Sequence, residues 1–373
     1  SFPPRECGIA SFTDDLSRAM DKRFNPKLKS QIVALNENNA GYDYDGEKVV
    51  MELVSNDIED YLNIAKRINE SENIKIVCIQ HEFGLFGGEY GCYIIPFLDT
   101  LKKPAVCTFH TVLPHPEPAR NKIVNAIAKR VAAIIVPSTK AIEILHRDYG
   151  IEKEKMYCVH HGIPNVPFKD NSEYKKLLGL ENRIVFCNHG FISRGKGIEY
   201  AIKALPPLIK KYPNLIFLVI GEIHPKACEE NGAQYRRELE SLAKKLKLEN
   251  NIKFIDRYVP LKTLIKYILA SDVYIFTNLE KAQISSGVLA RAFGCGRAIV
   301  SSPISYAKEL LSDNRGIIVK YKNPKSYTKA IDALLSDSVM KKEIEQNAYF
   351  YSRQMIWQNV ALNYLKIFNK IVQ

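Results

Sequence analysis

Apolar positions along the chain fall in short runs separated by stretches of helical spacing. Runs at 30–37, 74–84, 105–116, 132–138 and 156–164 have strand length, and amphipathic stretches at 56–71, 90–102, 119–131 and 141–150 lie between them. A polar Pro/Asp/Asn segment at 164–175 interrupts the alternation. It restarts with strands expected at 183–190, 214–222, 252–259, 272–278 and 297–303, and helices at 196–211, 233–248, 261–270 and 286–294. Apolar strands joined through helices predict parallel sheets covered on both faces. The fold class is therefore α/β, two doubly wound Rossmann-like domains in tandem. In such sheets ligands bind beyond the carboxyl ends of the strands, so the loops there are expected to face a cleft.

Composition narrows this. A chain of 373 residues supports two cores. No apolar run reaches the roughly 18–20 residues of a membrane span, so a soluble protein is expected. Lys and Arg number 53 against 41 Asp and Glu, a net charge of +12 that suits phosphorylated substrates or an anionic membrane surface. The lysines at 151–155, 209–213 and 242–250 alternate with acids, as on solvated helix faces. With no arginine-rich tail, RNP-like strand or zinc-finger spacing, nucleic acid is not an expected partner. Eight scattered cysteines without a C-x-x-C pair point to buried free thiols in a reducing cytoplasm. No secretory n-region and h-region is recognisable in SFPPRECGIAS.

The stretch AQISSGVLARAFGCG (282–296) comes after the strand SDVYIFTN and opens a helix. Such a corner gathers free backbone N–H groups and the positive helix end, a natural seat for phosphate or sugar oxygens around Gln283, Ser285, Ser286 and Gly287. It is also ordinary capping chemistry, and the more specific phosphate fingerprints, G-x-G-x-x-G and the Walker loop, are absent. His160 and His161 are adjacent on a strand and point to opposite faces, which argues against a metal pair. The DYD at 43–45 reads as a surface turn.

The second half, from HGFISRGKGIEYAIKAL through DVYIFTNLEKAQISSGVLARAFGCGRAIVSS, resembles the family 4 retaining glycosyltransferases of GT-B fold; PPRECGIASFTDDL and AIIVPS…VHHGIP extend the likeness to the first half. The resemblance implies an N-terminal acceptor-side domain at 1–165, completed by the C-terminal helix 355–373, and a nucleotide-sugar donor domain at 166–354. It also implies an apolar strand just before SFPP. Two departures stand out. Phe191 takes the place of an arginine in the loop after the second domain's first strand, leaving Lys196, and Gln283 and Arg291 take the places of the usual two glutamates. A subgroup with Gln-x-x-Ser-Gly at this point is similar.

The activity that the resemblance implies is transfer of a hexose from a nucleotide sugar, GDP-mannose or UDP-glucose, to a glycan or lipid-linked acceptor. The expected enzyme has no cofactor and no metal, and sits in the cytoplasm or against the inner membrane surface. Cationic groups and helix N-termini stabilise the leaving diphosphate in such a reaction. Lys196 is placed for that, and Arg194 could supply the missing guanidinium. The Gln283 amide would meet sugar hydroxyls, Ser285, Ser286 and Gly287 would present N–H groups, and Arg291 stands two turns beyond Gln283 on nearly the same face. In the first domain His110, ending a strand, would lie near the reacting sugar. His81 and Glu82 would bind the acceptor or form an acid/base pair, and Gly8 would give its loop room. The same residues fit a GT-B phosphorylase using a sugar 1-phosphate, or a catalytically silent sugar- or phosphate-binding protein.

Overall fold

The computed structural model describes residues 1–373 except 25–27, 38–40, 224–228 and 258, and the side chains of 229–231. Cys228 and the Tyr258 end of the strand expected at 252–259 fall outside these. The chain divides into two compact units, one of Ser1–Gly162, Gln283–Ser285 and Gln354–Gln373, the other of Ile163–Ala282 and Ser286–Arg353.

The first unit opens with α1 (Gly8–Phe24), β1 (Ile32–Asn36), β2 (Val49–Val54) and α2 (Ile58–Glu70), and continues as β3 (Val77–His81), α3 (Ile94–Thr100), β4 (Ala105–Phe109), α4 (Pro118–Arg130), β5 (Ala133–Val136), α5 (Thr139–Tyr149) and β6 (Met156–Cys158). All its strands are parallel, but they form two sheets, β1–β2 and β3–β4–β5–β6. The helix boundaries reflect local chemistry. Ser138 caps α5 by accepting from Ala141 N–H, and Gly150 ends it in the left-handed conformation. The strands β4 and β5 are buried at every position because helices cover both faces.

The second unit runs α6 (Ser172–Leu178), β7 (Ile184–His189), α7 (Ile198–Lys211), β8 (Leu215–Ile220), α8 (Glu229–Lys245), β9 (Ile252–Ile255), α9 (Leu261–Ala270), β10 (Val273–Phe276), α10 (Gly287–Gly294), β11 (Ile299–Ser301), α11 (Ser305–Leu310), β12 (Ile317–Ile318), α12 (Pro324–Ser336) and α13 (Ser338–Ser352). Its six strands are parallel, in the order β12–β11–β10–β7–β8–β9. The chain winds one way from β7 to β9 and the other way from β10 to β12, so the strand order reverses between β7 and β10. The carboxyl ends of those two strands bound the crevice where doubly wound sheets hold their ligands.

The helix α14 (Trp357–Val372) belongs to the first unit. Its Trp357, Val360, Tyr364 and Phe368 pack with Phe12, Leu16 and Met20 of α1 and with Val106 and Ile135 of the sheet, and Tyr364 Oη lies 3.0 Å from Thr108 Oγ1. The seven described cysteines are free. Among the described residues no helix is long and apolar enough to cross a membrane.

At the crevice of the second unit the exits of β7 and β8 come very close. Gly221 has φ +140°, and a Cβ there would lie 2.2 Å from Gly190 O. Gly221→Ala is expected to cost about 3 kcal/mol through backbone strain and overlap, seen as a lower urea midpoint. An unchanged midpoint would show that the two backbones part easily.

Candidate functional site

Lys196 stands where the strand order reverses. It ends a 3₁₀ turn, Arg194–Lys196, pinned to the exit of β10: Thr277 Oγ1 donates to Lys196 O at 2.5 Å and Leu279 N–H to Gly195 O at 2.8 Å. Gly197, at φ +60°, turns the chain into α7. The Lys196 side chain is half-buried, and among the described residues its ammonium has no hydrogen bond or ion pair, so desolvation pulls its pKa down. A half-buried cation without a counter-charge is costly unless an anion completes it.

Arg194 does not join it. Its guanidinium is exposed and makes a two-pronged pair with Glu238 of α8, at 2.8 and 2.6 Å, over the Tyr235 ring. A partner 44 residues away in sequence has claimed the group expected to replace the missing guanidinium. The cation that stands with Lys196 at the end of β7 is Arg291. Val288, in the first turn of α10, is the residue a Cβ on Gly190 would meet at 3.2 Å, and Arg291 comes one turn later on the same face. The charges of Lys196 and Arg291 are both felt at His189, the last residue of β7.

The corner at 282–287 is divided between the units. Ser286 is the N-cap of α10, its Oγ accepting from Leu289 N–H at 3.2 Å, and Gly287 begins the helix, so both lie in the second unit with Lys196 and Arg291. Gln283 and Ser285 count with the first unit, whose core holds Ile284. The Gln283 amide donates to Ser285 O at 2.7 Å, so part of its hydrogen-bonding capacity is spent on its own loop.

In the first unit, His110 comes directly after β4 and its Nε2–H donates to Gln80 Oε1 at 2.8 Å, with Phe12 edge-on at 4.7 Å. Burial, with His161 and His81 adding to it, holds the ring neutral and its pKa down to about 3. His81 and Glu82 form no pair. Adjacent on the chain, they face opposite ways. The His81 ring is enclosed by Phe83, Phe86 and Phe109, with both nitrogens buried and unpartnered, and burial takes its pKa to about 3. It is closed to an acceptor. Glu82 accepts from Thr111 Oγ1 at 2.6 Å and Phe83 N–H at 3.0 Å, and burial raises its pKa. Gly8 is not in a loop: it is the first residue of α1, and a Cβ there would meet nothing. His160 and His161 each hold a backbone carbonyl, of Pro137 and Gly162.

Sequence reasoning missed His189 and Tyr274. Their only signal was a polar pair, Asn188–His189, at the end of an otherwise apolar strand.

Residues 8–165 match the family described as Glycosyltransferase Family 4, and residues 170–350 match Glycosyl transferases group 1. An uncharacterized glycosyltransferase of Methanocaldococcus jannaschii is 28% identical over 258 residues, covering 68% of this chain and 62% of its own length. Spore coat protein SA of Bacillus subtilis is 27% identical over 256 residues, covering 64% and 65%. The chain thus spans under two thirds of the length of these curated relatives. Among solved structures, HepE of Anabaena in complex with UDP aligns with a TM-score of 0.79 at 16% identity, over 99% of this chain and 98% of that one. The same protein with UDP-glucose aligns at 0.75 and 16%, with the same coverage. With a Glycosyltransferase Family 4 domain followed by a Glycosyl transferases group 1 domain on two Rossmann-like units, the chain belongs to the glycosyltransferases of GT-B fold.

Proposed function

We propose that the chain transfers a hexose from a nucleotide sugar to a hydroxyl of a glycan or lipid-linked acceptor, with retention of configuration and without a metal, as a member of the subgroup carrying Gln-x-x-Ser-Gly. The observation that carries this is Lys196, a half-buried ammonium without a partner among the described residues, where the strand order reverses. As the bond from the anomeric carbon to the diphosphate breaks, charge grows on the leaving oxygens; Lys196, Arg291 and the N–H groups of Gly287 and Val288 neutralise it. On the face the diphosphate leaves, the acceptor oxygen bonds to the anomeric carbon and its proton passes to the departing phosphate oxygen. The HepE complexes favour a uridine donor of the UDP-glucose type over GDP-mannose.

Calorimetric titration with UDP, GDP, ADP, their hexose conjugates and the 1-phosphates of glucose and mannose tests this. Binding of one nucleoside diphosphate and its conjugate, with turnover persisting in EDTA, is the expected result. Binding of a sugar 1-phosphate alone would move the chain to the phosphorylases, and no binding at all would leave a silent site.

A further inference from the structure

Asn188 and His189 end β7, and Asn188 has a structural duty: its Nδ2 donates to Ile275 O at 2.8 Å and ties β7 to β10. His189 is 5% exposed, and its Nε2 is shut away from water without a hydrogen-bond partner. A buried polar atom in that state calls for a ligand or an internal water to complete it. Tyr274 fixes which ring nitrogen carries the proton. The His189 backbone N–H donates to Tyr274 Oη at 3.2 Å, and Nδ1 lies 2.7 Å from the same oxygen. The Tyr274 hydroxyl is fully buried and has no other acceptor among the described residues, so its proton goes to Nδ1. The ring proton is then on Nε2, the orphan atom.

Three elements bring titratable groups to this ring: Lys196 from the 3₁₀ turn, Arg291 from α10 and Tyr274 from β10. Burial and the two cations hold it neutral. We infer that His189 is a ligand-binding residue, a preset Nε2–H donor that with Arg291 grips a phosphoryl oxygen of a nucleotide's diphosphate beside Lys196. The inference rests on the nucleotide-sugar function proposed above and adds its second anchor. A neutral donor suits the place: it binds an anionic oxygen without adding a charge to two cations that already match the two charges of an esterified diphosphate. Nε2 is buried in the ligand-free chain, so an oxygen reaches it only where the side chains packed around it give way.

Nitrogen-15 NMR of the whole chain, with His189→Phe to assign the signal, reads the ring without any ligand. The expected state is Nε2–H, with no titration between about pH 5.5 and 8. Adding UDP, GDP, ADP or inorganic pyrophosphate then shifts the Nε2 signal, and His189→Phe and Arg291→Leu each weaken the tightest of these about tenfold or more. A ring protonated at Nδ1, or one that titrates in this range, overturns the inference. So does an Nε2 signal indifferent to every ligand, which would assign the atom to an internal water, and so does unchanged affinity in His189→Phe. The two proposals fail differently: pyrophosphate moving the signal while no nucleotide binds would sink the nucleotide-sugar function and keep the anion site. Normal nucleotide binding with a silent Nε2 would do the reverse.

Discussion

Under the nucleotide-sugar transfer proposed above, Lys196→Ala lowers turnover by a factor on the order of 10²–10³, the usual loss when one preorganised group facing developing charge is removed. The same substitution leaves the unfolding midpoint in place or raises it. The ammonium is half-buried, gains nothing from any counter-charge among the described residues and is desolvated at a cost, so its loss removes no stabilising contact. Activity and stability therefore move apart, which is the mark of a group kept for a ligand. Donor titration and urea unfolding of the same sample measure both. A variant that turns over normally would remove Lys196 from the site, and one that also unfolds early would make it a structural residue.

Stability falls steeply on mild acidification. His81, His110 and His189 are buried and neutral, with pKa values down to about 3 against an ordinary 6.5. Above pH 6.5 neither the folded nor the unfolded chain protonates them, and stability is at its full value. As pH drops through 6.5 the unfolded chain takes up protons that the folded chain refuses, so stability is lost until the folded rings titrate near 3. The loss approaches about 1.4 kcal/mol per pH unit per histidine, or about 2 kcal/mol each between pH 7.5 and 5. Glu82, whose pKa burial raises, opposes this only where carboxylates titrate. His81→Leu is the informative variant. It removes one histidine from the slope, and it raises stability at neutral pH by about 1–3 kcal/mol, because two buried unpartnered nitrogens disappear. Unfolding midpoints from pH 7.5 to 5 check both; a flat profile would mean that these rings take up protons in the folded chain.

The alternation of apolar runs and amphipathic stretches was legible because strands such as β8 and β10 are covered on both faces and so are apolar throughout. β2 escaped notice because VVMELV comes after the polar DYDG turn as a short run with one exposed position. The stretch from α11 to α13 escaped because its apolar positions are spaced among many charges, and α6 because it hides in a polar segment and has no buried residue. At the site, Lys196 stands out in the sequence as a cation between a strand and a helix start. That Arg194 is neutralised depends on Glu238, which no local pattern reveals. His189 is harder still. A single histidine carries no periodic signal, and only Tyr274, 85 residues further on, gives its ring a direction.

The helix at Trp357–Val372 bears on how the chain is made. α1 buries Phe12, Leu16 and Met20 against it, so residues synthesised early wait for residues synthesised more than 300 positions later. During translation the segment from Ile163 to Arg353 can assemble its own six-stranded sheet, while the earlier unit holds an open apolar face until α14 has left the ribosome. The order of folding then runs opposite to the order of synthesis for this docking step, and the long sequence separation of its contacts makes it the slow one.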